Sequence, residues 1–127
     1  MSASTGEESP AENRFDPRYL SFFEEFNRQR YFEAHEVLEG LWLETRDSRR
    51  EFYKALIQVA AVFLKLQQEK PAPAQRLAAR ALSHLEAFRP RCEGVDLEPV
   101  AKWLRDVIDG RSVPAGQQLM VSGNDNS

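Results

Sequence analysis

With a single cysteine, Cys92, the chain can form no internal disulfide, which predicts a reducing, cytoplasmic setting. It also lacks a charge excess. Seventeen Lys and Arg against 20 Asp and Glu leave a net charge of −3, which offers no electrostatic footprint to nucleic acid or to an anionic membrane. The longest apolar run, residues 55–64, is interrupted by Gln58 and falls far short of the ~20 residues a membrane helix needs. The opening MSASTGEESPAEN has no basic leader followed by an apolar segment, so no secretory signal is expected. No segment alternates with period two, which excludes a sheet as the framework. No phosphate-binding loop, activated nucleophile or cofactor motif stands out. What remains is 127 residues, 42% of them hydrophobic and 10% aromatic, enough for one continuous core.

The patterning predicts an all-α fold, a compact antiparallel helical bundle of about five helices near 16–29, 32–45, 49–69, 73–89 and 97–109. Residues 1–14 are rich in Ser, Glu, Ala and Gly, carry no apolar periodicity and read as a disordered tail. Asp16-Pro17 then marks a helix start, Asp as cap and Pro at the first helical position. Phe15, Tyr19, Phe22, Phe23 and Phe26 form one stripe of that helix. The second helix runs to about Thr45, and Asp47 or Ser48 caps the third. From Phe52 to Leu66 the third helix is apolar almost all round, the mark of the most enclosed element. Its exceptions, Lys54, Gln58 and Lys65, fall within roughly 40° of one another at ~100° per residue and form one polar stripe. Pro71 and Pro73 open the fourth helix, whose face of Ala74, Leu77, Ala78, Ala81, Leu85 and Phe88 is small early and large late, as close packing of its first half requires. Asp96 caps a last helix with Val100, Trp103, Leu104, Val107 and Ile108 inward, and Gly110 ends it. A single domain is expected over 15–110, followed by a polar flexible tail at 111–127.

The second helix carries the distinctive stretch, YFEAHEVLEGLW, residues 31–42. Phe32, His35, Glu39 and Trp42 fall within roughly 80° at ~100° per residue, with Tyr31 and Leu38 alongside. Two ionisable side chains one turn apart are thus expected on the inward face.

At this stretch, and at FYKALIQVAAVF after it, the chain resembles the widespread prokaryotic family known as domain of unknown function 309. The family's hallmark, a His, three residues, a Glu, two residues and a Trp, is met by His35, Glu39 and Trp42, and its second block by residues 54–61. The resemblance spans about residues 19–110 and implies a compact antiparallel bundle with no established activity. Family members often have Gly where Gln29 stands, Gln where Lys54 stands, and a His followed by Gly-Asn where this chain has Leu64-Lys65 and Glu69-Lys70. A family site relying on that later His would be incomplete here.

The favoured reading of His35, Glu39 and Trp42 is structural: a hydrogen-bonded cluster pinning the second helix to the third through Gln58 or Lys54, because buried polar groups must be paired. Glu39 with Lys54 or Lys65 is the first pairing to look for. Function would then lie on the outer surface, as an interaction module with a protein partner or as a homodimeric scaffold. Three alternatives stay open. His35 and Glu39 could be two ligands of a divalent metal, although zinc sites use three or four protein ligands, and HEVLE departs from the zinc-protease HExxH by carrying Glu39 in place of the second His. They could form an acid/base dyad of hydrolase type, against which the missing nucleophile and cofactor motifs weigh. Or Lys54, Gln58 and Lys65 with the motif could line a small-ligand pocket without catalysis. His84 reads as a solvent-edge residue of the fourth helix, and Cys92 as a loop thiol with no partner His nearby.

Overall fold

The structure, a computed structural model, describes residues 15–122, so the expected tail at 1–14 lies outside the described residues. Five helices follow in order: α1 (Pro17–Asn27), α2 (Tyr31–Glu44), α3 (Arg49–Gln67), α4 (Pro71–Leu85), continued by a 3-10 turn at Glu86–Phe88, and α5 (Glu98–Ile108). The fold is all-α, as the patterning implies. α3 packs against both α2 and α4, α1 closes on α2, and α5 on α4. Nine of the nineteen residues of α3 are buried, which makes it the central helix. Ala74, Ala78 and Ala81, all fully buried, let α4 approach it closely.

The helix ends follow from local chemistry. Asp16 Oδ1 accepts from the Arg18 N–H at 2.8 Å with Pro17 in the first turn, and Arg18 also bridges to Glu44 on α2 at 3.0 Å. The Arg18 guanidinium holds the Asp16 carboxyl below its ordinary range. Of the two candidates before α3, Asp47 supplies the capping oxygen, to the Arg49 N–H at 3.0 Å, while the Ser48 side chain makes no cap bond. Asp96 caps α5 through the Glu98 N–H at 3.0 Å. α4 begins at Pro71, two residues before the expected start, because both of its early prolines fall in the first turn, where the missing N–H costs nothing.

Gln29, Glu69 and Gly110 follow α1, α3 and α5, with φ of 62°, 60° and 76°. In each case the next N–H reaches back five residues, as in Arg30 to Glu25 O at 2.9 Å and Lys70 to Lys65 O at 2.9 Å. These are Schellman ends, where glycine is the unstrained residue. Gln29 and Glu69 therefore hold a left-handed conformation at a cost of about 1 kcal/mol or more each. Glu69→Gly is expected to raise stability by about 0.5–1 kcal/mol, the relief exceeding the entropic cost of glycine; denaturant unfolding would measure it.

Two segments depart from the expected pattern. Residues 91–96 form a short hairpin, Arg91–Cys92 paired with Val95–Asp96, turning on Glu93 (φ 48°) and Gly94 (φ 80°), the left-handed pair that a type I′ turn needs. Strands of two residues have no length over which alternation could be read. The expected polar flexible tail is, in its first twelve residues, laid back on the bundle. Leu119 is 3% exposed, Val121 bridges to Val95, and the Ser122 N–H donates to Gly94 O at 2.8 Å. Asn27, the last residue of α1, holds the segment through two bonds to the Leu119 backbone. Residues 123–127 lie outside the described residues.

Candidate functional site

The buried face of α2 consists of Tyr31, Ala34, Leu38 and Leu41. His35, Glu39 and Trp42 sit beside that stripe, each only partly covered, and Phe32 is 51% exposed. The inward-facing placement expected for the cluster is thus corrected: the helix is rolled so that the motif forms the flank facing α3, with Phe32 beyond it in solvent. With that roll the covered face takes in Tyr31, Ala34, Leu38 and Leu41, and Phe32 is left at the rim.

On the facing wall, Lys54 and Gln58 are likewise partly covered. Glu39 and Trp42 from α2 and Lys54, Ile57 and Gln58 from α3 line a cavity of about 180 Å³. His35 and Lys65 are not among its lining residues. Lys65 stands two turns beyond Gln58 along α3, and His35 one turn before Glu39 along α2. The structure therefore brings together four of the six expected motif and pocket residues around one cavity and leaves two beside it.

The expected hydrogen-bonded cluster does not form. Among the described residues no ion pair involves His35, Glu39, Lys54 or Lys65. His35 Nδ1 and Trp42 Nε1 are covered and have no hydrogen-bond partner among those residues. The Trp42 ring is held instead by Arg50, whose guanidinium lies 4.3 Å from its centroid, a cation–π contact worth about 0.5–1 kcal/mol where exposed. Trp42→Phe removes a covered donor that gains nothing and keeps most of the ring. It is expected to leave stability within about 1 kcal/mol of the parent, or to raise it. A thermal scan finding a larger loss would mean that the indole N–H has an acceptor after all.

His84, read from the sequence as a solvent-edge residue, is half-buried and paired with Gln58. Its Nδ1 lies 2.7 Å from Gln58 Oε1, and because a carbonyl oxygen only accepts, Nδ1 carries the proton. The available signal was complementarity: α3 offered one amide within its apolar run and α4 one imidazole at the edge of its stripe, on antiparallel neighbours.

Two other cavities lie away from the motif. One of about 150 Å³ lies over Tyr31, Phe63 and Leu66 and under Val113 and Pro114, without a carboxylate or a cation. Another, of about 200 Å³, is lined by the hairpin residues Arg91, Cys92, Glu93 and Gly94. Burial pushes the Cys92 thiol up to about 11, with the neighbouring Glu93 charge adding to it, so Cys92 is not poised as a nucleophile at neutral pH. Among the described residues no three His, Cys, Asp or Glu side chains come together as a metal-ligand group, and no helix is long and apolar enough to cross a membrane.

The fold and the groove thus define a small all-α bundle with an open, mainly apolar recess between its second and third helices, edged by Glu39, Lys54 and Gln58. Residues 19–77 match the family described as "Domain of unknown function (DUF309)", a span that holds every lining residue of the groove but stops short of His84. Over 82 residues the chain is 32% identical to the uncharacterized protein YpuF of Bacillus subtilis (strain 168). That alignment takes in 63% of this chain and 47% of YpuF, so the chain spans about half the length of the relative it matches.

Proposed function

We propose that this protein is a non-catalytic binding module for a small polar molecule, taken up in the groove between α2 and α3. One observation carries the reading: Glu39 and Lys54 line one cavity from opposite walls, and neither has an ion-pair partner among the described residues. A carboxylate and an ammonium left apart in a recess suit something placed between them. Acid/base chemistry is less well supported, because His35 stands outside the lining and no nucleophile joins Glu39. The lone thiol supports a cytoplasmic setting.

The test is a titration of the full chain with small molecules spanning anionic, cationic, zwitterionic and neutral classes, followed by the indole resonance or fluorescence of Trp42, with Trp42→Phe identifying its signal against Trp103. A bound compound is expected to move the Trp42 signal and to lose affinity in Glu39→Gln or Lys54→Met. A signal that no class of compound moves would sink the reading.

A second reading, the interaction module, draws on Phe32 and Leu43, 51% and 57% exposed. They lie roughly three turns apart on one stripe of α2, with Glu36 and Glu39 between them. The complement of that acidic, apolar-tipped stripe is a basic amphipathic helix of a partner protein. A dimer by light scattering that Phe32→Ser dissolves would give the stripe to a second copy instead, and a monomer indifferent to a basic amphipathic peptide would leave only the groove.

A further inference from the structure

The two walls of the groove differ in what they offer a ligand. On α3, Lys54 has three N–H donors and no acceptor. Gln58 lines the same cavity; its Oε1 already accepts from His84 Nδ1–H at 2.7 Å, which leaves its NH₂ group and one oxygen lone pair. Arg50, one turn before Lys54, brings a guanidinium against Trp42 and has no ion-pair partner among the described residues. The α3 wall therefore offers mainly donors, both of its charged groups being cations. On α2 the only charged lining group is Glu39, which as a carboxylate accepts only.

Such a groove repels its simplest guests. A bare anion suits Lys54 and Gln58 but meets the Glu39 charge, and a bare cation suits Glu39 but meets Lys54 and Arg50. The complement is one molecule carrying both functions, an acceptor turned to α3 and a donor turned to α2, joined by a short carbon skeleton against Trp42 and Ile57. The cavity of about 180 Å³ sets the scale at a single small metabolite. We infer that the groove recognises a small molecule bearing an oxyanion, carboxylate or phosphate, at one end and an ammonium or hydroxyl donor at the other. The inference rests on the reading of the groove as a binding site and names the ligand class for it. His84 acts in it as a positioning residue, fixing which way the Gln58 amide faces.

The experiment is a calorimetric and Trp42-detected titration of the full chain with β-alanine and glycerol phosphate as two-ended probes. Acetate and inorganic phosphate serve as bare anions, ethanolamine as a bare cation and glycerol as the neutral control. One or both two-ended probes are expected to bind tighter than any control, and which of them does so separates a carboxylate from a phosphate. Lys54→Met is expected to weaken that probe on the order of tenfold, the effect of losing one charge-assisted hydrogen bond. Glu39→Gln gives the sharper result, opposite signs: weaker binding of β-alanine and tighter binding of acetate or phosphate. His84→Leu is expected to weaken the two-ended probe while leaving the Glu39-dependent discrimination intact.

The assignment is overturned if glycerol or ethanolamine binds as well as the two-ended probes, if Lys54→Met changes nothing, or if Glu39→Gln moves every anion the same way as β-alanine. Each of these leaves the binding reading standing. If none of the six probes binds while other compounds move the Trp42 signal, the oxyanion assignment alone falls; if nothing moves that signal, both fall.

Discussion

Phe26→Ala is expected to cost about 3–5 kcal/mol, the range for emptying a fully buried aromatic site. Phe26 is completely buried and stands where three helices meet. Its ring is 6.0 Å from that of Phe22 on α1, 5.1 Å from Tyr31 at the start of α2 and 5.2 Å from Phe63 on α3. The last two contacts are close to edge-on, with interplanar angles of 73° and 77°, the arrangement in which such pairs add to simple burial. The loss is large against a total of about 5–15 kcal/mol for a domain of ordinary stability. At about 4–8 °C per kcal/mol for a domain of this size, the unfolding midpoint falls by more than 10 °C. Phe26→Leu serves as the control, since it refills most of the volume and is expected to lose less than half as much. Denaturant unfolding of both variants checks the claim; a loss below about 2 kcal/mol for the alanine variant would show that neighbouring rings close the cavity. The site has a stake in this contact. Tyr31 is the first residue of α2 and its anchor to α1 and α3, so loosening it frees the roll of α2 that holds Glu39 and Trp42 opposite Lys54 and Gln58.

That roll marks the boundary of what the sequence makes legible. Helix spans and caps are written in local chemistry: Asp16 with Pro17, Asp47 before Arg49, Asp96 before Glu98, each a short polar side chain whose oxygen meets an N–H two residues on. These can be read one turn at a time. The angular grouping of Phe32, His35, Glu39 and Trp42 is equally legible, but which edge of a group faces a neighbour is decided by that neighbour. Grouping by angle alone sets the expected face between Phe32 and Trp42, whereas the packed bundle covers the neighbouring sector of Tyr31, Ala34, Leu38 and Leu41. Pairing is less legible still. Glu39 faces Lys54 across a recess without an ion pair, while Gln58 finds His84, a contact set by the offset between two antiparallel helices rather than by spacing along either. The glycines common in the resembling family at two helix ends acquire a reason here: Gln29 and Glu69 sit in the left-handed region that such ends demand.

Asn27→Ala is expected to lower stability by about 1–3 kcal/mol and to release the segment at residues 111–122. In the parent, Asn27 Nδ2–H donates to Leu119 O at 2.8 Å and Asn27 Oδ1 accepts from the Leu119 N–H at 2.7 Å, so one side-chain amide imitates the paired bonds of a strand neighbour. Both partners belong to the backbone of a residue that is 3% exposed. Removing the amide strands a buried donor and a buried acceptor together, and orphaned groups of this kind cost about 1–3 kcal/mol. The chain can lower that cost by letting the segment detach and hydrate, in exchange for the burial of the Leu119 side chain and the bridge from Val121 to Val95. Two observables separate these outcomes. If the segment stays bound, the unfolding midpoint drops and amide exchange at Leu119 remains slow. If it detaches, the midpoint drops less, while exchange at Leu119 and Ser122 accelerates and residues 111–122 become open to proteolysis. Asn27→Asp sharpens the argument, because aspartate can still accept from the Leu119 N–H but sets a carboxylate oxygen against the Leu119 carbonyl. It is therefore expected to recover at most part of the loss. Full recovery with aspartate would mean that the donor half of the amide contributes nothing and that burial of Leu119 alone holds the segment in place.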